Sequence, residues 1–239
     1  MTRTEAVGRL AVAIDVGDFK AALDLARSLA GHVGIAKIGL EAFTAHGPAL
    51  VAAISELGLP VFLDLKLHDI PNTVERAAQS CAALGVRMLT VHAAGGEAML
   101  RAAVAGAATG AAGNSPIVVA VTVLTSLDDA ALAHLGFRGT AAETALAWTV
   151  LAREAGCGGI VCSAHEVAAV RSRCGTGLTI VTPGIRPHGE AQGDQRRVAT
   201  PAQALTAGAS LLVVGRPITG AADPVAAAEA IIDEIMLMR

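Results

Sequence analysis

Short apolar, β-branched runs alternate along this chain with longer Ala- and Leu-rich stretches of helical period, and the alternation repeats eight times. The strand-like runs fall at 10–16, 35–40, 61–67, 88–92, 117–124, 159–163, 179–182 and 211–215. Helical periodicity occupies 19–29, 41–57, 73–84, 97–108, 142–155, 166–172 and 201–207. A last helix is predicted over 224–238, with Asp223 as its N-cap and Pro224 in its first turn. Gly58, Gly85, Gly156, Gly175 and Gly208 follow helical stretches, where a left-handed C-cap favours glycine. Strand then helix, eight times over, predicts a parallel sheet with helical crossovers.

An open, doubly wound sheet competes with a closed (β/α)8 TIM barrel. The count of eight favours the barrel, and so does the spread of polar residues at or just beyond the strand ends. Asp15, Lys37, Asp64 with Lys66, His92, Thr122 with Thr125, Ser163, Arg186 and Arg216 serve nearly every strand. Barrel enzymes draw their reacting groups from these C-terminal strand ends. No linker or composition break divides the chain, so a single α/β barrel domain over residues 1–239 is expected, catalytic in character.

The most informative run is 61–73, VFLDLKLHDIPNT, which sets Asp64, Lys66 and Asp69 into an otherwise apolar, strand-like segment. Successive side chains of a strand alternate faces, so Asp64 and Lys66 are expected on the same side, with His68 turned away from them. Burying such charges is costly unless they are paired, and chains tolerate that cost mainly at working sites. Lys37, in IAKIGL, is expected as the fourth member of a Lys–Asp–Lys–Asp array. Acidic neighbours favour the ammonium form of a lysine, which suits a proton donor beside a reaction that creates negative charge on carbon. A purely structural ion-pair network plugging the barrel is the competing reading. Pro71 is expected to end the strand, with Asn72 or Thr73 capping the next helix.

A second candidate lies in TPGIRP (182–187), GDQRR (193–197) and VVGRP (213–217), after the seventh and eighth strands. Loops in those places often bind phosphate in barrels. Gly215 would let backbone N–H groups approach an anion, and Arg216 offers a forked donor. Arg196 and Arg197, taken singly, read as solvated surface charge.

Composition narrows the function classes. Net charge is −3 and aromatics are 2%, so neither a polyanion-binding face nor a base-stacking platform is expected, and no nucleic-acid partner. No apolar run approaches the roughly 18 residues of a spanning helix, and 10–16 is too short, and broken by Asp15, to be a secretory signal. Cys81, Cys157, Cys162 and Cys174 show neither CxxC nor zinc spacing, which fits reduced thiols in a cytoplasmic, soluble protein without membrane partners. The seven histidines form no ligand cluster, so no metal site is expected, and no dinucleotide, P-loop or nucleophile-elbow motif supports a cofactor.

The Asp15 strand, Lys37, FLDLKLHDIPNT, VTVLTS (121–126), TPGIRP, GDQRR and VVGRP together resemble the orotidine 5′-phosphate decarboxylase family over nearly the whole chain. The DxKxxD spacing alone is shared with sugar-phosphate decarboxylases and hexulose-phosphate synthases that use magnesium; the other motifs are more specific. The resemblance implies a cofactor-free homodimer that converts orotidine 5′-monophosphate to UMP. It implies Lys66 as proton donor to C6, Asp64 beside the departing carboxylate, and Lys37 bridging Asp64 and the ribose, which Asp15 also contacts. Asp69 and Thr73 would reach the neighbouring subunit's site, and Thr125 would lie near the pyrimidine. Arg186, Gln195, Gly215 and Arg216 would hold the phosphate and its covering loop. A phosphate-ligand-binding barrel without catalysis is the remaining alternative.

Overall fold

Eight parallel strands close into one barrel in the computed structural model, which describes residues 1–187 and 197–238. They are β1 (Leu10–Ala13), β2 (Ile35–Ile38), β3 (Val61–Leu67), β4 (Met88–His92), β5 (Ile117–Val121), β6 (Gly159–Val161), β7 (Thr179–Thr182) and β8 (Leu211–Val214). Each strand pairs with the next in sequence, and β8 pairs with β1 to complete the ring. Closure leaves no unpaired sheet edge. All eight expected strands form, several one to three residues shorter at their ends than the apolar runs.

Among the described residues the helices are α1 (Arg3–Gly8), α2 (Phe19–Leu29), α3 (Leu40–Glu56), α4 (Pro71–Ala82), α5 (Gly96–Gly110), α6 (Asp129–His134), α7 (Ala141–Glu154), α8 (Ala164–Cys174), α9 (Pro201–Thr206), α10 (Arg216–Thr219) and α11 (Pro224–Met236). Asp223 caps α11 as expected, its carboxylate accepting from Ala226 N–H. Two expectations about the helices need correction. The helix expected over 41–57 is broken at Gly47, whose φ of 58° with Pro48 after it interrupts α3. Neither Asn72 nor Thr73 caps α4; Pro71 already occupies its first turn, Ile70 is the N-cap, and no side chain supplies a capping bond. The short helices α1, α6 and α10 were not expected from the apolar pattern.

Strand alternation divides the core into two layers. Leu10, Val12, Ile38, Leu63, Leu89, Val91, Ile160, Ile180, Leu212 and Val214 pack outward against the helices. Ala11, Ala13, Ile35, Phe62, Met88, Val119, Val181, Leu211 and Val213 fill the barrel interior. Each fully buried Leu, Ile or Phe contributes about 1.5–3 kcal/mol of transfer free energy, so a core nearly without aromatics holds through many aliphatic side chains. Small residues bring the outer helices close. A Cβ at Gly106 would fall 2.0 Å from the Glu75 carbonyl oxygen, so α4 and α5 touch backbone to backbone there, and any larger residue would part them.

Candidate active site

The alternation that builds the interior also builds the site. Moving two residues along the inward face leads from Ile35 to Lys37 on β2, from Phe62 to Asp64 on β3, and from Met88 to Thr90 on β4. Lys37, Asp64 and Thr90 therefore form a polar layer above an apolar floor, and all three are buried.

Lys66 arrives by a different route. Leu63 pairs with Leu89 and Leu67 with Val91, so Asp64, Leu65 and Lys66 stand opposite the single residue Thr90. Lys66 absorbs the extra length with φ of 51°, the one positive φ of a non-glycine residue among those described. Its backbone N–H donates to Thr90 Oγ1 at 2.8 Å, and its ammonium donates to Asp64 Oδ1 at 2.9 Å. Asp64 and Lys66 thus meet as expected, through a bulge rather than plain alternation.

The charges form a chain. Asp15 Oδ1 lies 3.3 Å from Lys37 Nζ, Lys37 Nζ lies 3.5 Å from Asp64 Oδ2, and Lys66 closes on Asp64. Gly39 makes room for it, since a Cβ there would come 2.7 Å from Asp15 Oδ1 and 3.1 Å from Lys37 Nζ. Burial alone would push the Asp64 carboxyl up. Lys37, then Lys66, with hydrogen bonds from Lys66 and Thr90, outweigh burial and hold it below the usual carboxylate range.

Lys37, Asp64 and Lys66 open into a cavity of about 370 Å³ whose wall includes Phe62, Val121, Val123, Leu124, Thr125, Val161, Val181 and Val213. Beside it lies a cleft lined by Asp15, Glu41, Arg186, Gly215, Arg216 and Thr219. Lys37, Pro183 and Val213 belong to both, so the two spaces form one elongated site with a charged, apolar-walled end and an arginine-bearing end.

Asp15, Lys37, Asp64, Lys66, Thr125, Arg186, Gly215 and Arg216 all line this site. Asp69 and Thr73 do not join it within the chain: both are exposed, and Asp69 Oδ1 accepts from Ile70 N–H at 2.7 Å. Gln195, with Gly193, Asp194 and Arg196, lies outside the described residues.

Arg197 corrects the expectation of a solvated surface charge. Its side chain is 14% exposed and pairs with the carboxylate of Glu166, itself 3% exposed, while its second nitrogen donates to the Leu124 carbonyl at 3.2 Å. Thr90, Glu41 and Thr219 were missed by sequence reasoning. Thr90 was within reach of it, standing two residues after Met88 on the inward face of β4. His92 stacks on His68, ring centroids 5.5 Å apart, and has Trp148 edge-on at 6.5 Å. Burial, then His68 and Lys66, hold its imidazole below the usual range. Cys162 lines the cavity, yet burial pushes its thiol up to about 12, so it is no nucleophile at neutral pH. Among the described residues no group of three or more His, Cys, Asp or Glu is placed to hold a metal ion, and no helix is long and apolar enough to cross a membrane.

A family model described as orotidine 5′-phosphate decarboxylase / HUMPS family matches residues 8–231. An orotidine 5′-phosphate decarboxylase of Anaeromyxobacter sp. (strain K) is 57% identical over 223 residues, covering 93% of this chain and 96% of its own. One from Moorella thermoacetica is 52% identical over 243 residues, covering 100% of this chain and 96% of its own. Among solved structures, the orotidine 5′-phosphate decarboxylase of Lactobacillus acidophilus superposes with a TM-score of 0.84 at 38% identity, covering 94% of this chain and 97% of its own.

Proposed function

Because the chain belongs to the orotidine 5′-phosphate decarboxylase / HUMPS family, we propose that it decarboxylates orotidine 5′-monophosphate to UMP and CO2, the last step of UMP biosynthesis, with Lys66 as the proton donor to C6. The bond between C6 and the carboxylate carbon breaks, CO2 leaves without the bonding pair, and that pair takes a proton from the Lys66 ammonium. Solvent then returns a proton to Lys66. The observation that carries this reading is the Asp15–Lys37–Asp64–Lys66 chain, ending in an ammonium that lines an apolar-walled cavity.

Electrostatics supply the reason. The carbanion left on C6 is poorly delocalised by the ring. A positive charge about 4 Å away contributes on the order of 4 kcal/mol at an effective dielectric of about 20, and the attraction grows as charge builds on carbon. Asp64 sits beside the departing carboxylate and fixes both lysines. Lys37 and Asp15 serve the ribose hydroxyls, and Thr125 the pyrimidine. Arg186, Gln195, Gly215 and Arg216 take the phosphate at the far end, so that remote binding energy helps hold C6 against Lys66.

Asp69 and Thr73, exposed beside Ile70, which is itself 67% exposed, support a homodimer in which each chain lends these residues to its neighbour's site. The reaction is proposed to need neither metal nor organic cofactor, in a soluble cytoplasmic protein without nucleic-acid or membrane partners.

Loss of orotidylate absorbance, followed with excess EDTA, tests the proposal. Wild type should turn over with chelator present, and Lys66→Ala should fall by at least about 10³-fold while remaining folded, since it loses both the acid and the charge. No orotidylate turnover with or without chelator, beside EDTA-sensitive turnover of a sugar phosphate, would instead favour a magnesium-dependent sugar-phosphate enzyme with the same DxKxxD spacing. Near-normal turnover of Lys66→Ala would remove the assigned acid.

A further inference from the structure

We propose that Thr90 is the positioning residue for the proton donor, one hydroxyl tying both ends of Lys66; this rests on the reading of Lys66 as that donor. The Thr90 side chain is fully buried and stands alone opposite the three β3 residues of the bulge. A hydroxyl carries one proton and two lone pairs, so it can accept and donate at once. Here it does both. Thr90 Oγ1 accepts from the Lys66 backbone N–H at 2.8 Å and donates to Asp64 Oδ1 at 2.9 Å. The same Asp64 oxygen receives the Lys66 ammonium at 2.9 Å, so a closed ring runs from the Lys66 amide through Thr90 and Asp64 back to Lys66 Nζ.

The ring accounts for two features together. A left-handed backbone is rare for an L-residue with a side chain and persists only where its surroundings hold it. Thr90 supplies that hold where the ladder between β3 and β4 loses its regular spacing. The proton on Thr90 also selects which carboxylate oxygen faces Lys66, leaving Oδ2 toward Lys37 at 3.5 Å. Valine has the shape of threonine but can make neither bond, so Lys66 and Asp64 would lose their common anchor with little change in packed volume. Serine keeps both bonds.

Thr90→Val, Thr90→Ser and Lys66→Ala are compared on the full chain for kcat, KM, UMP affinity and thermal midpoint. Thr90→Val should lower kcat about 10- to 100-fold, as loss of an orienting hydrogen bond typically does. KM and UMP affinity should stay within about threefold, because the phosphate and ribose contacts remain. Thr90→Ser should recover kcat to within a few-fold of wild type. Unchanged kcat in Thr90→Val, or a loss shared equally by KM and UMP affinity, or no recovery in Thr90→Ser, would overturn the inference. If Thr90→Val does not fold, Thr90→Ala, which removes the hydroxyl together with the methyl, is judged by the same outcomes. An active Lys66→Ala would instead overturn the donor assignment beneath it, whereas an inactive Lys66→Ala beside a fully active Thr90→Val would overturn the role of Thr90 alone.

Discussion

The Lys66 ammonium lies 2.9 Å from Asp64 Oδ1 although both residues sit inside a break in the pairing of β3 with β4. Regular alternation would place them on one face several ångströms apart. The bulge instead folds the backbone at Lys66 into a left-handed turn and brings the two charges into contact. Bulges re-aim side chains beside active sites, and this one points an ammonium into the cavity.

Asp64→Asn tests how far the carboxylate stabilises the fold. The Asp64 carboxyl is held below its usual range against burial, chiefly by Lys37 and then Lys66. A depressed pKa adds stability that is fully present above the unfolded value of about 3.9 and is lost as pH falls through the folded value. The difference in unfolding free energy between wild type and Asp64→Asn should therefore be flat from about pH 8 to 5 and narrow below about 4. Urea unfolding across that range checks it. A gap that widens toward acid would mean that burial dominates and Asp64 is raised.

Arg216→Ala separates the two ends of the site. Arg216 lines the cleft with Arg186 and Gly215, whereas Lys66 lines the cavity. A charged hydrogen bond contributes about 1.5–3 kcal/mol, so affinity for UMP should fall roughly 10- to 150-fold, with little change for uridine. Calorimetric titration of both ligands decides it. Equal losses on the nucleoside would contradict a phosphate role.

Much of this was legible in the chain, for reasons that differ between residues. Lys37 and Asp64 announced themselves because charge in an apolar strand is conspicuous and parity sets its direction. Thr90 follows the same parity, which places it on the inward face, but without a charge it does not stand out there, and its role rests on its two hydrogen bonds. Arg197 escapes a local reading because its partner, Glu166, lies 31 positions earlier on α8, a pairing that local pattern does not encode. The bulge was invisible because register depends on two strands at once. Helix α1 did carry a local signal, the Thr2–Glu5 capping box, but it is too short to show a hydrophobic period.

Subunit mixing tests the shared site. Asp69 and Thr73 stand exposed, outside their own chain's charge cluster. Lys66→Ala and Asp69→Ala homodimers should each be nearly inactive. Their heterodimer contains one site with both residues intact, so a statistical mixture should regain up to about one quarter of wild-type turnover. Native mass spectrometry confirms exchange, and no recovery in confirmed heterodimers would place Asp69 in its own subunit's site.

Glu166→Gln probes the pair behind the cavity wall. Glu166 Oε2 accepts from Ser163 N–H at 2.7 Å within a capping box, and the other oxygen holds Arg197. Glutamine can keep the cap through its carbonyl oxygen while removing the charge, so the change isolates the ion pair. Leaving one charge of a buried pair uncompensated costs about 3–5 kcal/mol, whereas replacing both partners is often close to neutral. Glu166→Gln should therefore lower the denaturation midpoint strongly, and Glu166→Gln with Arg197→Met should recover much of the loss. Because Arg197 also donates to the Leu124 carbonyl, the double variant should remain stable yet bind nucleotide more weakly, through a looser wall at Leu124 and Thr125. Additive destabilisation in the double variant would show that the two residues act separately, and unchanged nucleotide affinity would confine their pairing to stability.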